Sequence, residues 1–490
     1  MTSEAESEVY GMDLGHMKDK SRLGAQLRED RVRAATLEVL AAIREEGQLA
    51  DRALGRVLRR ERGLWSGERK VVAERVYGLL RNEQLVEAVL ARAVAAGRGR
   101  TVASLSASEA DGARLAIWAA LCEDGTAGRP ESFPSLGVPQ GRLPALRDEL
   151  LAEAVDPWDR LALTSSLPRW FVAALGERLG TLEASAVLAS LNQRAPLTVR
   201  ANLLKGEPSR LGERLAAEGS SAKRCAFSPW GWTLDGRANA FALPAFREGL
   251  FEVQDEGSQL LALLCGTPPG RRVVDACAGA GGKTLALSAA MGSKGELWAL
   301  DASADRLDLL RPRARRAGAQ NLRIEAISPT GPLPRALDRL RRSADVVLVD
   351  APCSGVGALR RNPDARRRLT VASIAEQADQ QLAILRRAAT LVKPGGRLVY
   401  GTCSLLWAEN ERVVERFLAE PSSPEGGAPE NGNFETLSPA EALGGELAAR
   451  LEAPLLDGPA PLRSPLGLRL WPQRHGTDGF FGALMRRAYS

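Results

Sequence analysis

Residues 271–284, RRVVDACAGAGGKT, read as a short strand through Val273 and Val274, a glycine-rich turn, and a helix beginning at Lys283. Three readings of the turn compete. A P-loop requires G-x-x-x-x-G-K-[ST]; Gly282, Lys283 and Thr284 supply its end, but Cys277 stands where the first glycine belongs. A dinucleotide fingerprint requires G-x-G-x-x-G; Gly279 and Gly281 begin it, but Thr284 holds the place of the last glycine. What remains is a tight turn that brings backbone N–H groups close to a ligand at a helix N-terminus.

Working outward, strands and helices alternate after Gly270. RRVVDACA is followed by a helix from Lys283, GELWALDAS by one from about Ala304, and LRIEAIS by a third. ADVVLVDAP then leads into a helix from about Ser373, and GRLVYGTCS into one from about Ala408. This alternation argues for a parallel sheet with helices on both faces. Residues 466–488, LGLRLWPQRHGTDGFFGALMRRA, read as two strands joined by a glycine-containing turn, which makes the end of the sheet antiparallel. Pro312 is expected to kink or break the helix in which it falls.

In such sheets ligands sit at the C-terminal ends of the strands, near the point where strand order reverses. Asp301 ends the second strand, nineteen residues past Gly282, where a carboxylate can bond ribose hydroxyls. The combination fits S-adenosylmethionine and leaves other nucleoside ligands open.

Six cysteines lie at 122, 225, 265, 277, 353 and 403, with no C-x-x-C pair. The two histidines, His16 and His475, argue against a zinc site and against a histidine-activated nucleophile. Cysteine is the natural candidate. Cys353 and Cys403 each stand at the exit of a strand, and Asp350 precedes Cys353 by three residues. Carbon 5 of cytosine takes a methyl group only after a nucleophile adds to carbon 6, and a thiolate both adds and leaves readily. The carbon 5 proton must then be removed, so a second group near the first is useful. The base must be out of any stack to reach such a thiol. Asp350 is suited to bond the cytosine ring nitrogen or exocyclic amine.

The motifs DACAGAGGKT, DAPCSGVG, LVYGTCS and HGTDGFFGALMRR resemble the signatures of the Sun (Fmu) family of RNA cytosine-5 methyltransferases, and PLTVRANLLK and FEVQDEGSQL resemble its motifs ahead of the catalytic domain. The N-terminal helices resemble the NusB-like RNA-binding domain of the bacterial small-subunit rRNA methyltransferase B branch. The resemblance spans about residues 25–488. It implies that Cys403 attacks carbon 6 and that Cys353 assists product release. It also implies that Cys277, Ala278, Gly279, Ala280, Gly281, Gly282 and Lys283, with Asp301 and Asp350, hold S-adenosylmethionine and the target base. Two positions depart from the family pattern: Ala280 replaces a proline, and Ser328 stands near the place of an acid that usually follows the third strand and contacts the cofactor.

The implied architecture is a Rossmann-like α/β methyltransferase domain over 256–490, preceded by an all-α NusB-like RNA-binding domain over 21–155 and a small α+β region over 156–255. Val72, Val76, Leu79, Leu80, Val86, Val89, Leu90 and Ala93 recur at helical spacing in the first of these. Residues 123–144 read as a loop, with helices resuming at about 157, and 420–434 as a flexible insertion.

Net charge is +6, from 66 bases against 60 acids, a weak pointer to a polyanionic partner. No apolar run approaches the roughly 18 residues of a membrane span, and MTSEAESEVYGMD does not read as a secretory signal, so a cytoplasmic protein is expected; the oligomeric state stays open, with a monomer favoured. The arginine run LRRNPDARRRLT reads either as a track for phosphates or as a solvated face, and its position just after Cys353 favours the first. Trp230 and Trp232 read first as packing, as do Cys122, Cys225, Cys265 and His475. The expected substrate is small-subunit (16S) rRNA; the alternatives are tRNA, or a catalytically silent RNA-binding adaptor. DNA is disfavoured, because DNA enzymes of this type need no second cysteine like Cys403.

Overall fold

The computed structural model describes residues 28–98, 101–122, 138–235, 239–419 and 433–489. The acidic N-terminus, residues 123–137 of the first loop and residues 420–432 of the insertion lie outside the described residues. The chain forms two compact units, one ending at Asn192 but including Asn362–Arg368, the other comprising Gln193–Arg361 and Leu369–Ser490.

The first unit is helical: α1 (Glu29–Arg44), α2 (Ala50–Arg60), α3 (Ser66–Arg81), α4 (Glu83–Arg98), α5 (Ala107–Cys122), α6 (Leu143–Glu153), α7 (Pro157–Ser165) and α8 (Arg169–Asn192). The apolar stripe 72–93 divides between α3 and α4 at Asn82, whose side-chain amide donates to the Gly78 carbonyl. Val72, Val76 and Leu80 pack with Val39, Leu54 and Leu58, while Leu79, Val86, Val89 and Leu90 pack with Ile117 and Leu146. Helices resume at Leu143, earlier than the sequence reading placed them, because Leu143 and Leu146 bury against α4 and α5. By contact the helical unit runs on through α8 to Asn192, and the Ser166 hydroxyl accepts from the Leu85 N–H.

The second unit holds two sheets. The smaller is antiparallel, with β1 (Leu197–Ala201), β2 (Ala222–Arg224), β3 (Gly231–Leu234) and β4 (Phe251–Val253) in the order β2-β3-β1-β4. The larger contains β5 (Arg272–Asp275), β6 (Glu296–Asp301), β7 (Leu322–Ala326), β8 (Ala344–Asp350), β9 (Val392–Thr402), β10 (Phe434–Leu437), β11 (Leu468–Leu470) and β12 (Phe480–Arg487). Its order is β10-β12-β9-β8-β5-β6-β7, with β11 beside β12. The run from β9 to β7 is parallel and β12 is antiparallel to β9, as the sequence pattern implied.

Side chains alternate across this sheet. Val273, Leu297, Val346, Leu348 and Val399 pack on one face against Leu260, Leu261 and Leu264 of α9 (Glu256–Leu264). Val274, Trp298, Val347, Val349, Leu398 and Tyr400 pack on the other against Leu382 and Leu385 of α10 (Val371–Ala389). Strand order reverses between β5 and β8, so a crevice opens above their C-terminal ends. The helix Ala304–Ala317 runs through Pro312 unbroken, contrary to expectation. The side chains that follow Pro312 are anchored: Arg313 and Arg316 both pair with the buried Glu252 of β4.

Candidate active site

A cavity of about 540 Å³ lies over the C-terminal ends of β5, β6, β8 and β9. Its floor is the glycine-rich turn. Gly279 and Gly281 adopt left-handed φ values of 53° and 88°, and a Cβ on Gly281 would sit 2.1 Å from Leu310 Cδ1, so only glycine fits there. The turn is fixed from below and from the side. Buried Asp275 accepts from the Thr284 hydroxyl at 2.7 Å, while Arg200 of β1 donates to the Gly282 carbonyl at 2.8 Å and Arg313 to the Ala280 carbonyl at 2.7 Å. Burial pushes the Asp275 carboxyl up to about 7.

Asp301, at the end of β6, accepts from Gly279 N and Ser303 N, both at 2.8 Å, and lines the cavity. Across the cavity Lys283 Nζ meets Asp350 Oδ2 at 2.7 Å. Burial works against the Lys283 ammonium, but the Asp350 carboxylate outweighs it and raises the lysine pKa; the Phe480 ring lies 5.3 Å from Nζ.

The two thiols converge. Asp350 of β8 pairs in register with Gly401 of β9, which sets Cys353 and Cys403 at the same height above the sheet. Their sulfurs are 3.4 Å apart. The hydrogen bond with Cys403, followed by burial, pushes the Cys353 thiol well above its ordinary value. The third thiol, Cys277, is driven well above its ordinary value by burial first and then by the carboxylates of Asp275, Asp350 and Asp301, which disfavours it as a nucleophile.

Of the residues singled out from sequence, Cys277, Ala278, Gly279, Ala280, Lys283, Asp301, Asp350, Cys353 and Cys403 line the cavity. Gly281, Gly282 and Ser328 do not. Ser328 turns its carbonyl to Arg387 at 2.7 Å, and the wall there is Ile327 and Pro329. Sequence reasoning missed Gln380, Ile384 and Arg387 of α10, which also face the cavity. Their spacing of four and three, on the helix that follows the Cys353 loop, was the available signal.

The arginine run after Cys353 is largely an internal scaffold, contrary to its reading as a phosphate track. Arg360 and Arg361 bond the two oxygens of buried Asp478 at 2.6 and 2.5 Å, and Arg361 also reaches Asp255 at 2.7 Å. Within the helical unit, Arg366 donates to the carbonyls of Arg81 and Ser165 and to Asn192. His475 is buried, as expected, accepting from the Trp471 N–H at 3.0 Å.

The model of the 16S rRNA methyltransferase RsmB/F family matches residues 263–486, and that of the ferredoxin-like domain of RsmF/B-like methyltransferases matches 167–240. A probable ribosomal RNA small subunit methyltransferase B from Synechocystis is 34% identical over 66% of this chain and 67% of its own length. The crystal structure of PH0851 superposes with a TM-score of 0.69 and 25% identity, covering 94% of this chain and 99% of its own. A methyltransferase homolog from Pyrococcus horikoshii superposes with a TM-score of 0.53 and 26% identity over 68% of this chain and 99% of its own.

Proposed function

The chain belongs to the RsmB/F family of 16S rRNA methyltransferases, and from that membership we propose that it methylates carbon 5 of a cytosine in small-subunit rRNA through a covalent cysteine adduct. The observation that carries the reading is the pair of thiols 3.4 Å apart in the same cavity as the glycine-rich turn. One thiol suffices to add to a base. A second at hydrogen-bond distance is what release of the methylated product calls for.

The cavity suits S-adenosylmethionine. Its volume falls within the range of small-molecule sites, a carboxylate stands at the end of β6 for ribose hydroxyls, and Ile327 and Pro329 give an apolar wall for adenine. When bound, the cofactor supplies an electrophilic methyl group. The protein's residues do the rest. Cys403 Sγ adds to carbon 6 and makes carbon 5 nucleophilic. Asp350, oriented by Lys283, accepts a hydrogen bond from the cytosine amine. Once carbon 5 carries its methyl group, solvent takes the proton there, the bonding pair restores the carbon 5–carbon 6 double bond, and Cys403 leaves as a thiolate. Cys353, held as a thiol beside Cys403, assists that departure.

The test uses Cys353→Ala and Cys403→Ala, each incubated with rRNA and S-adenosylmethionine and run on a denaturing gel. A slow RNA-linked band with Cys353→Ala alone supports the assignment. A band with Cys403→Ala alone exchanges the roles. Methylation of tRNA but not rRNA by the wild-type protein would move the substrate, and failure of the wild type to bind S-adenosylmethionine in calorimetry would make the chain an RNA-binding adaptor.

A further inference from the structure

Neither catalytic thiol is fixed by its own strand, because β8 ends at Asp350 and β9 at Thr402. Each sulfur therefore sits on a loop, and something must hold the loops together. The residues that follow the two thiols, Ser354 and Ser404, point at one carboxylate. Glu409 is fully buried, and its Oε1 accepts from Ser354 N at 2.8 Å and Gln381 Nε2 at 3.0 Å. Its Oε2 accepts from the Ser354 and Ser404 hydroxyls, both at 2.5 Å. The same Gln381 amide donates to the Pro352 carbonyl at 3.0 Å, so Cys353 is gripped on both sides.

We propose that Glu409 is a positioning residue whose carboxylate clamps the Cys353 and Cys403 loops together and so sets the separation of the two sulfurs. The proposal rests on the two-thiol reading of the active site.

Three features favour a clamp over ordinary core packing. All four donors are neutral, so the carboxylate is held by hydrogen bonds in a place where a buried charge is otherwise costly. Two oxygens accept two bonds each, which a carboxylate can do and an amide cannot. The clamp is itself anchored to β9. The Tyr400 hydroxyl donates to the Glu409 carbonyl at 2.5 Å, and Asn410 accepts from the Thr402 hydroxyl at 2.5 Å while donating to the Ser404 carbonyl at 3.0 Å. A rigid strand thus sets the position of the carboxylate, and the carboxylate sets both loops. Preorganisation of this kind matters because a displacement of 1 Å can cost about a hundredfold in rate.

Phenylarsine oxide reports the thiol separation without any reaction on RNA. Its arsenic forms two As–S bonds as both thiols lose their protons and one water leaves, so tight binding needs both sulfurs close together. On the full-length protein we expect one arsenical bound, reversed by a competing dithiol and lost in Cys353→Ala or Cys403→Ala. Glu409→Gln should weaken that binding about tenfold through loss of the chelate geometry. Its methyl transfer rate should fall about a hundredfold, with the KM for S-adenosylmethionine unchanged. The Ser354→Ala/Ser404→Ala double variant leaves the carboxylate in place and removes only the hydroxyl arms. It should shift arsenical binding in the same direction, and it decides the question if Glu409→Gln does not fold. Wild-type arsenical affinity in the double serine variant, or in a folded Glu409→Gln, overturns the clamp. A wild-type protein that methylates no RNA would overturn the functional reading instead, and the arsenical titration would still decide the clamp.

Discussion

The sulfurs of Cys353 and Cys403 lie 3.4 Å apart although 50 residues separate them in the chain. Register brings the two strand exits side by side: β8 and β9 run parallel, Asp350 pairs with Gly401, and each cysteine follows its paired residue by two or three positions. Contact at this distance couples their protons. The hydrogen bond to Cys403 is the largest influence raising the Cys353 pKa, ahead of burial. Cys403→Ala should therefore lower the Cys353 pKa and make that thiol more reactive. Alkylation of Cys353 by iodoacetamide at pH 8, followed by peptide mass spectrometry, should be faster in Cys403→Ala than in the wild type; an unchanged rate would mean that burial controls it.

Arg361 is a structural cation in this chain. Burial opposes its charge, but Asp478 and Asp255 overcome that opposition and raise its pKa. Arg361→Met would leave those two buried carboxylates without one of their cations. Breaking a buried pair from one side costs roughly 3–5 kcal/mol, so the midpoint of urea unfolding should fall markedly. A phosphate-tracking arginine would instead reduce the salt dependence of RNA binding with little effect on stability.

Gly357 is where the backbone of the Cys353 loop meets that of the Cys403 loop and of Gly479. Its N–H donates to the Cys403 carbonyl and its carbonyl accepts from Gly479 N, both at 2.9 Å. A Cβ there would lie 2.2 Å from the Gly479 carbonyl oxygen and 2.8 Å from that of Cys403. Both obstacles are backbone and neither can swing away. Gly357→Ala should destabilise the fold by about 1–3 kcal/mol and lower methyl transfer, read by thermal unfolding and by methyl incorporation into rRNA.

What the sequence disclosed and what it hid divide along physical lines. The alternation of strands and helices, the glycine-rich turn and the two strand-exit cysteines are local patterns, and each was legible. Pairings between distant segments were not. Nothing in LRRNPDARRRLT distinguishes an arginine facing solvent from Arg360 and Arg361 locked on Asp478, because the partner lies 117 residues or more away. Glu409 was overlooked for the same reason, since its four donors come from three separate segments. Pro312 was misread because its helix is held by tertiary anchors, Arg313 and Arg316 on Glu252, that outweigh a local breaker.

Asp275 makes the stability of the second unit depend on pH. The carboxyl is fully buried at the end of β5, and burial raises its pKa from 3.8 to about 7, partly offset by the Thr284 hydroxyl. Between those values the folded state keeps a proton that the unfolded chain has released. The favourable contribution is complete below about pH 4 and is lost as pH rises toward 7, where the folded protein must carry a buried charge. A shift of about three units corresponds to roughly 4 kcal/mol across that window. Asp275→Asn cannot ionise and should abolish this slope. Urea unfolding at pH 5 and pH 8 should show the variant gaining stability relative to the wild type as pH rises, even if the lost acceptor makes it weaker at pH 5. A stability difference that stays constant across the window would mean that Asp275 is already charged at pH 5, with the Thr284 hydroxyl and the nearby Lys283 ammonium sufficient to hold it so.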